Sequence, residues 1–342
     1  MTQDRSPHAP EYSPPTHDQD ALAGGPIIAV HADLEERAVV ETASMPWSPS
    51  PWIPGIDRKF LDRYGNGQFV PSTSVVSFGS GVRDPYHAHP HGEEFFVLSG
   101  TFTDHTGDYL PGFYVRHPMR WCHAPYVDVR NQAAVVWVKV SQIAEEGEPI
   151  IVTDTCDPDL PAWTARDGLR GKLRALPLYA SARTGERVWI EIWEPGTEDL
   201  VIQPPGGEEV FVISGSLIDD GVVRPELTWI RNPARAAGTP WRRSTDLGCK
   251  LLMKSGHMPM IARLYDRAKD GSLFSSSVHQ YREDQRIHGA RHGQDIKRHD
   301  REAAAALARL DSPSSAPSPP SPSPPAAPSS PHVPRAKPAD AS

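Results

Sequence analysis

An internal repeat constrains this sequence more than any other feature. The segment GEEFFVLSG at 92–100 returns as GEEVFVISG at 207–215, and YVRHPMR at 114–120 returns as WIRNPAR at 229–235. Both segments return after the same offset of 115 residues. Because an unchanged offset over two separate segments is typical of duplication, we interpret the chain as two copies of one folding unit.

Each copy has the pattern of an all-β structure. Short runs rich in Val, Ile, Phe, Tyr and Trp recur roughly every eight to twelve residues, separated by Gly, Pro, Asp and Asn, which is typical of a sandwich or barrel. The strands predicted in the first copy are 74–78, 94–98, 112–116 and 133–140, and those in the second are 188–193, 209–213, 228–231 and 250–254.

The composition changes toward both ends of the 342-residue chain. Residues 1–40 show little periodicity and residues 312–342 are mostly Pro, Ser and Ala, so we predict disordered tails there. The region 265–311 is charged and is predicted to be partly helical, with a helix over 294–310. The remaining ranges, 41–145 and 146–264, are the two predicted domains.

Charge and hydropathy exclude several classes of function. The formal net charge of -8 offers no basic surface for a nucleic-acid backbone. No stretch approaches the roughly 18 apolar residues of a membrane span, and no signal-like leader precedes the first copy, so a cytoplasmic protein is expected. The three cysteines are widely spaced and form no C-x-x-C pair, so a metal site would have to use His and carboxylate ligands.

Four residues in the first copy have the chemistry and spacing of a metal site. His87 and His89 are two apart, so on a β-strand both side chains project to one side. Glu93 begins the returning strand, and His123 follows a later turn that can deliver it to the same cavity. Histidines near turns are more often simply solvated, but four such residues in this arrangement favour one divalent ion.

The spacing of these residues resembles a known pair of motifs. The pattern G-x5-H-x-H-x3-E-x6-G at 81–100, followed by G-x5-P-x4-H at 112–123, resembles the two signatures of the cupin superfamily. That resemblance implies a double-stranded β-helix, or cupin jelly roll, with a metal held by three His and one Glu. With the repeat, it implies a bicupin with one divalent ion per chain, which would be Fe, Zn or Mn.

A narrower resemblance covers residues 45–143. The residues W-x-P-S-P at 47–51, G-D-Y at 107–109, G-x-Y-x-R at 112–116 and H-A-P at 123–125 are similar to the cupin domain of the ChrR anti-sigma factor. The sequence departs from the common second motif at Arg120, where Gly is usual, and at Val127, where Asn is usual.

The second copy lacks most of the ligands. The offset places Ile202, Pro204 and Gly238 at the positions of the three histidines and retains only Glu208. One carboxylate does not hold a divalent ion well, so this copy is predicted to be degenerate. It would serve as a structural partner or, alternatively, as a metal-free ligand pocket. Glu208 is expected to pair with a basic neighbour such as Arg235 or to remain open to solvent.

Three functions are compatible with these observations. Cupin dioxygenases are similar, and they imply a mononuclear oxidoreductase that acts on a small oxygenated substrate. If Glu93 points inward, strand alternation turns Phe95 and Val97 inward as well, so a mainly hydrophobic pocket is expected. The ChrR resemblance implies instead a zinc sensor without turnover, although the segment before Trp47 lacks that family's sigma-binding His/Cys cluster. A metal-dependent isomerase or sugar-modifying enzyme is the third. A small-molecule partner is expected, a homodimer is compatible with the sequence, and no catalytic residue is assigned.

Overall fold

The computed structural model describes residues 27–269, except 52, 66–69, 85–86, 90, 144–146, 203 and 235–239. The strands of the first half are β1 Ile28–Val30, β2 Ala38–Glu41, β3 Ser48–Pro49, β4 Ile56–Gly65, β5 Ser72–Phe78, β6 His87–Ala88, β7 Glu93–Ser99, β8 Phe102–Asp104, β9 Gly107–Tyr109, β10 Phe113–His117, β11 Cys122–His123 and β12 Ala134–Val140. Those that follow are β13 Ile151–Asp154, β14 Thr164–Asp167, β15 Lys172–Ala180, β16 Arg187–Trp193, β17 Glu198–Val201, β18 Glu208–Asp219, β19 Val222–Pro225, β20 Thr228–Asn232, β21 Trp241–Ser244 and β22 Cys249–Ser255, and helix α1 is Met258–Lys269.

The strand order shows the duplication directly. One large sheet has the order β1-β4-β5-β12-β7-β10-β13, and the other has the order β14-β15-β16-β22-β18-β20-β2. Strands β5, β7, β10 and β12 begin 115 residues before β16, β18, β20 and β22 respectively. We call the structure around the first sheet the first barrel and that around the second sheet the second barrel. The all-β cupin fold predicted from the sequence, including its eight predicted strands, is confirmed.

The two barrels exchange edge strands. Strand β2 lies in the chain between β1 and β4 of the first sheet but pairs with β20 of the second, with Ala38 opposite Arg231. Strand β13 follows the first barrel and completes its sheet, with Ile151 opposite Arg116 of β10. Each barrel therefore has its last sheet position filled by a segment lying outside its own predicted range.

Strand alternation divides the apolar side chains between two kinds of core. Phe95 and Val97 of β7 face the interior of the first barrel, as predicted. Phe96, between them in sequence, faces the other way and packs in a cluster with Trp137 and the second barrel's Phe211. Because one face of each sheet packs against the other barrel, the central strands are buried on both faces.

Buried ion pairs cross the same interface. Lys139 of the first barrel binds Glu209 of the second at 2.7 Å, and Lys254 of the second binds Glu94 of the first. Since Lys254 and Glu209 are the repeat counterparts of Lys139 and Glu94, the two pairs are the same contact made in opposite directions. Arg116 adds a contact of 3.0 Å to Glu94. The duplicated interface is thus held by charges as well as by apolar packing.

The described boundaries differ from the predicted ones. Strand β1 and all of β2 except Glu41 lie in the range 1–40 that was predicted to be disordered, and both are ordered because they pair with strands of the barrels. Strand β13 lies in the predicted second domain but belongs to the first sheet. Helix α1 crosses the predicted boundary at 264. Its buried apolar face packs against residues that include Tyr64 of β4, whose ring centroid lies 5.2 Å from that of Tyr265. The helix predicted over 294–310 and the tail 312–342 lie outside the described residues.

No helix in the described ranges is long and apolar enough to cross a membrane.

Candidate metal centre

Short strands and a tight turn bring the predicted ligands together. Strand β6 pairs with β11, so that His87 lies directly opposite His123. Between His89 and Glu93 the chain reverses at Gly92, whose φ is 59° and whose amide donates to the His89 carbonyl at 2.9 Å. A Cβ at position 92 would lie 2.7 Å from the His117 carbonyl, so the turn requires glycine. Glu93 then enters β7 facing the histidines.

The four side chains converge on one point. Nε2 of His87 lies 3.1 Å from Nε2 of His89, and Oε2 of Glu93 lies 3.3 Å from Nε2 of His89. Nε2 of His123 lies 3.1 Å from the other Glu93 oxygen. The rings of His87 and His123 are 4.6 Å apart. Ligand atoms of His87, His89 and His123 all lie within 4.8 Å of one another.

Sequence reasoning missed two buried residues beside this cluster. Nδ1 of His117 lies 3.0 Å from Oε1 of Glu93 and donates to it when protonated at that nitrogen, and His117 forms a second group of potential ligands with Glu93 and His123. Asp104 lies 3.7 Å from both His117 Nε2 and His123 Nδ1. Strand alternation held a signal for the first, since His117 is two residues from the inward-facing Val115. The repeat held a signal for the second, since Asp104 and Asp219 are 115 residues apart.

The pKa directions in the cluster favour an ionised Glu93 and oppose protonation of His89. Burial opposes ionisation of Glu93, but His123 and His89 hold its pKa well below the ordinary value. Burial lowers the pKa of His89 well below its ordinary value, although Glu93 acts in the opposite direction. Metal ligands need this state, because a protonated imidazole has no lone pair to donate.

The polar atoms in this cluster lack enough protein donors and acceptors. Both ring nitrogens of His123 and Nε2 of His117 are buried and make no hydrogen bond within the described part of the chain. Nε2 of His87 and Nε2 of His89 lie 3.1 Å apart, and the tautomers of the two rings decide which of them donates. Unsatisfied buried polar atoms are costly, and a divalent cation bound by this donor set would satisfy them. The residues present therefore fit a metal ion.

The cluster forms one wall of a pocket within the first barrel. Apolar side chains make up much of the rest, and those of the inward-facing strand positions are Phe60, Val76, Phe78, Phe95, Phe102, Val136, Val138 and Val140. Phe95 was predicted to line it. The prediction of a mainly hydrophobic pocket did not anticipate the charged side chains Arg58 and Arg63, which come from β4, a strand that the sequence pattern did not reveal.

The equivalent position in the second barrel is occupied by the positively charged side chain of an arginine. Arg243 donates to Glu208 at 2.7 and 3.1 Å and to Asp219 at 2.7 Å. Glu208 and Asp219 are the repeat counterparts of Glu93 and Asp104. The expected ion pair of Glu208 is therefore present, but with Arg243, because β21 carries this guanidinium into the barrel. Arg235 and Gly238 lie outside the described residues.

One departure from the usual cupin motif has a clear conformational cost. Arg120 has a φ of 65°, in the left-handed region that favours glycine. Its amide donates to the His89 carbonyl at 3.0 Å, which connects the second motif with the first. The local conformation thus explains why glycine is usual at this position, and the chain adopts it here without one.

Comparisons with known proteins agree with this architecture. Residues 35–144, about a third of the chain, match the model of the ChrR Cupin-like domain. No curated protein matches the chain. Among solved structures, a provisionally named dioxygenase from Nostoc punctiforme has a TM-score of 0.53 at 17% identity, with 66% of this chain and 84% of that protein covered.

Two further solved structures are less similar. A provisionally named glyoxylate-induced protein from Pseudomonas aeruginosa has a TM-score of 0.48 at 14% identity, covering 75% of this chain and 96% of that one. A pirin from Escherichia coli in complex with nickel(II) has a TM-score of 0.45 at 10% identity, covering 64% and 98%. With the motifs and the strand order, these comparisons show that the chain has a cupin fold and that its residues 35–144 are similar to the ChrR Cupin-like domain.

Proposed function

We propose that the first barrel binds one divalent metal ion through His87, His89, Glu93 and His123, and that the chain is a mononuclear oxidoreductase of the dioxygenase type. The observation that carries this proposal is the meeting of three imidazoles and one carboxylate in the wall of an apolar pocket. Iron, zinc and manganese all accept such donors. The substrate would be a small oxygenated organic molecule.

A metal ion held by three His and one Glu offers open coordination positions and Lewis-acid chemistry to a substrate. The chain's own residues supply the surroundings. Glu93 would bring one negative charge to the ion, and the charge of the Asp104 carboxylate, 3.7 Å from Nδ1 of His123, would favour the tautomer that is protonated at Nδ1 and leaves Nε2 for the metal. The phenylalanine-rich walls keep water away from the bound substrate.

A second candidate is a zinc-binding sensor module without turnover. It is favoured by the match of residues 35–144 to the ChrR Cupin-like domain. In that role the metal would stabilise the barrel, and ligand binding in the pocket would be the signal.

One experiment separates these candidates. Full-length protein purified without an affinity tag is analysed for metal by elemental mass spectrometry, then loaded with Fe(II), Zn(II) or Mn(II) and screened for oxygen uptake with enolisable diketones and aromatic ketones. The oxidoreductase proposal expects one metal per chain and uptake that is lost in His89→Ala. Stoichiometric zinc with no uptake for any loaded metal would favour the sensor, and no bound metal in any preparation would contradict both.

A further inference from the structure

The pocket of the first barrel contains two arginines that the metal site does not use. Arg58 and Arg63 both lie on β4 and line the same pocket as His87, His89 and Glu93. Arg63 is buried and Arg58 is partly buried. Charged guanidinium groups inside an otherwise apolar cavity are costly unless an anion or strong acceptors compensate them.

A β-bulge aims both arginines into the pocket. Pairing of β4 with β5 shifts by one residue between Phe60 and Asp62, so that Arg58 lies opposite Val76 and Arg63 lies opposite Ser72. Val76 and Ser72 both line the pocket. Without the bulge, strict alternation would turn Arg63 to the opposite face. Asp62 instead faces the other side of the sheet, where it lies 3.6 Å from Arg231.

The protein supplies little compensation for Arg58. Its Nε is buried and makes no hydrogen bond within the described residues. Asp84 and Glu93 attract its charge from a distance, but neither forms an ion pair with it in the described ranges. Arg63 stacks its guanidinium over Phe60 at 4.9 Å. Burial lowers the pKa of Arg63 to about 10, and repulsion between its guanidinium and that of Arg58 acts in the same direction.

We propose that Arg58 and Arg63 form a carboxylate-binding subsite, so that the pocket takes a small organic carboxylate. Guanidinium groups bind carboxylates through paired charge-assisted hydrogen bonds, and the aromatic and aliphatic walls accommodate the carbon skeleton. This inference deepens the proposed function, because the rest of the ligand would then face the His/Glu cluster. The arginine contact itself does not require a metal.

Isothermal titration calorimetry on the full-length protein tests this subsite with matched probes. Benzoate and propionate are compared with their neutral amides, benzamide and propionamide, and with inorganic phosphate. We expect at least one carboxylate to bind ten times or more tightly than its amide. Arg58→Gln and Arg63→Gln should each weaken that carboxylate at least tenfold and change the amide less than twofold. The control Arg130→Gln, at an exposed position outside the pocket, should change neither.

The remaining outcomes overturn the proposal. Equal binding of acid and amide, no binding of either acid, or tighter binding of phosphate would exclude a carboxylate subsite. A benzoate affinity that falls in His89→Ala but not in the arginine variants would place the carboxylate on the metal. Circular dichroism checks that each variant is folded, and a glutamine variant that is not folded is replaced by lysine at the same position, Arg58→Lys or Arg63→Lys, which keeps the charge but loses the paired donors. Metal content measured in parallel tests the proposed function separately.

Discussion

The two barrels solve one electrostatic problem in different ways. Both carry a pair of inward-facing carboxylates, Glu93 and Asp104 in the first and Glu208 and Asp219 in the second. In the second barrel, the compensating positive charge is a side chain of the protein, the guanidinium of Arg243. In the first, imidazoles take the surrounding positions, and the proposed divalent ion would supply the positive charge. The difference teaches that a barrel without the histidine ligands need not leave its carboxylates unpaired.

The largest expected effect separates the two glutamates. Glu93→Gln, like His87→Ala or His123→Ala, removes one of four ligands, so metal content should fall from about one per chain to near zero after dialysis. Glu208→Gln should leave metal content unchanged, because Arg243 already occupies that position. Elemental mass spectrometry measures both. A parent value near two that falls to one in Glu208→Gln would mean that the second barrel also holds metal.

A second variant probes the positive charge of this arginine. Arg243→Met leaves Glu208 and Asp219 buried without their shared partner, so the free energy of unfolding should fall by about 3–5 kcal/mol. Urea denaturation followed by fluorescence provides the measurement. Arg242→Met is the matched control, since Arg242 is largely exposed and should change stability by about 0.5 kcal/mol or less. Similar losses in both variants would contradict the role assigned to Arg243.

Acid should weaken the interface that joins the barrels. Burial raises the pKa of Glu94, but Lys254 and Arg116 outweigh it and bring the pKa to about 2. Since the folded pKa lies below the unfolded one, this stabilisation is present above about pH 5 and is lost as the pH falls toward 2. Glu94→Gln should cost on the order of 3 kcal/mol at pH 7 and flatten the acid limb of the stability curve.

The control for this prediction is Asp266→Asn, at an exposed position of α1. It should leave the curve unchanged. If the free energy of unfolding of the parent is constant between pH 5 and pH 2, the ion pairs between the barrels, Lys254 with Glu94 and Lys139 with Glu209, do not contribute to stability.

The smallest expected effect concerns the residues behind the ligands. Asp104→Asn removes the charge that orients His123, so metal affinity should fall about tenfold while metal can still be loaded at saturation. Asp219→Asn, its counterpart in the second barrel, should lower stability without changing metal affinity. Competition with a chromogenic chelator measures the affinities. Equal metal affinities in Asp104→Asn and the parent would show that Asp104 does not contribute to metal binding.

The sequence was most informative where residues act locally. Histidine spacing at 87–89 indicated that the two side chains share one side, and the structure brings them together although β6 ends at Ala88 and His89 follows it directly, so the cluster could be predicted. Strand β4 could not, because it carries Asp57, Arg58, Lys59, Asp62 and Arg63, and hydropathy reads such a run as surface. The partners of these charged side chains, and the pocket that some of them line, are formed by strands that are distant in the sequence and become neighbours only in the fold. Arg243 was missed for the same reason, since its carboxylates lie 24 and 35 residues away in the sequence.

The exchanged edge strands have a consequence for how such a gene can change after duplication. Deleting the second copy would remove β13 from the edge of the first sheet and expose the backbone of β10. It would also remove Glu209 and leave the buried ammonium of Lys139 without this carboxylate. Selection for the first copy's chemistry therefore acts on the second copy as well. The second copy is free to lose its ligands but not its architecture, and its persistence needs no separate activity of its own.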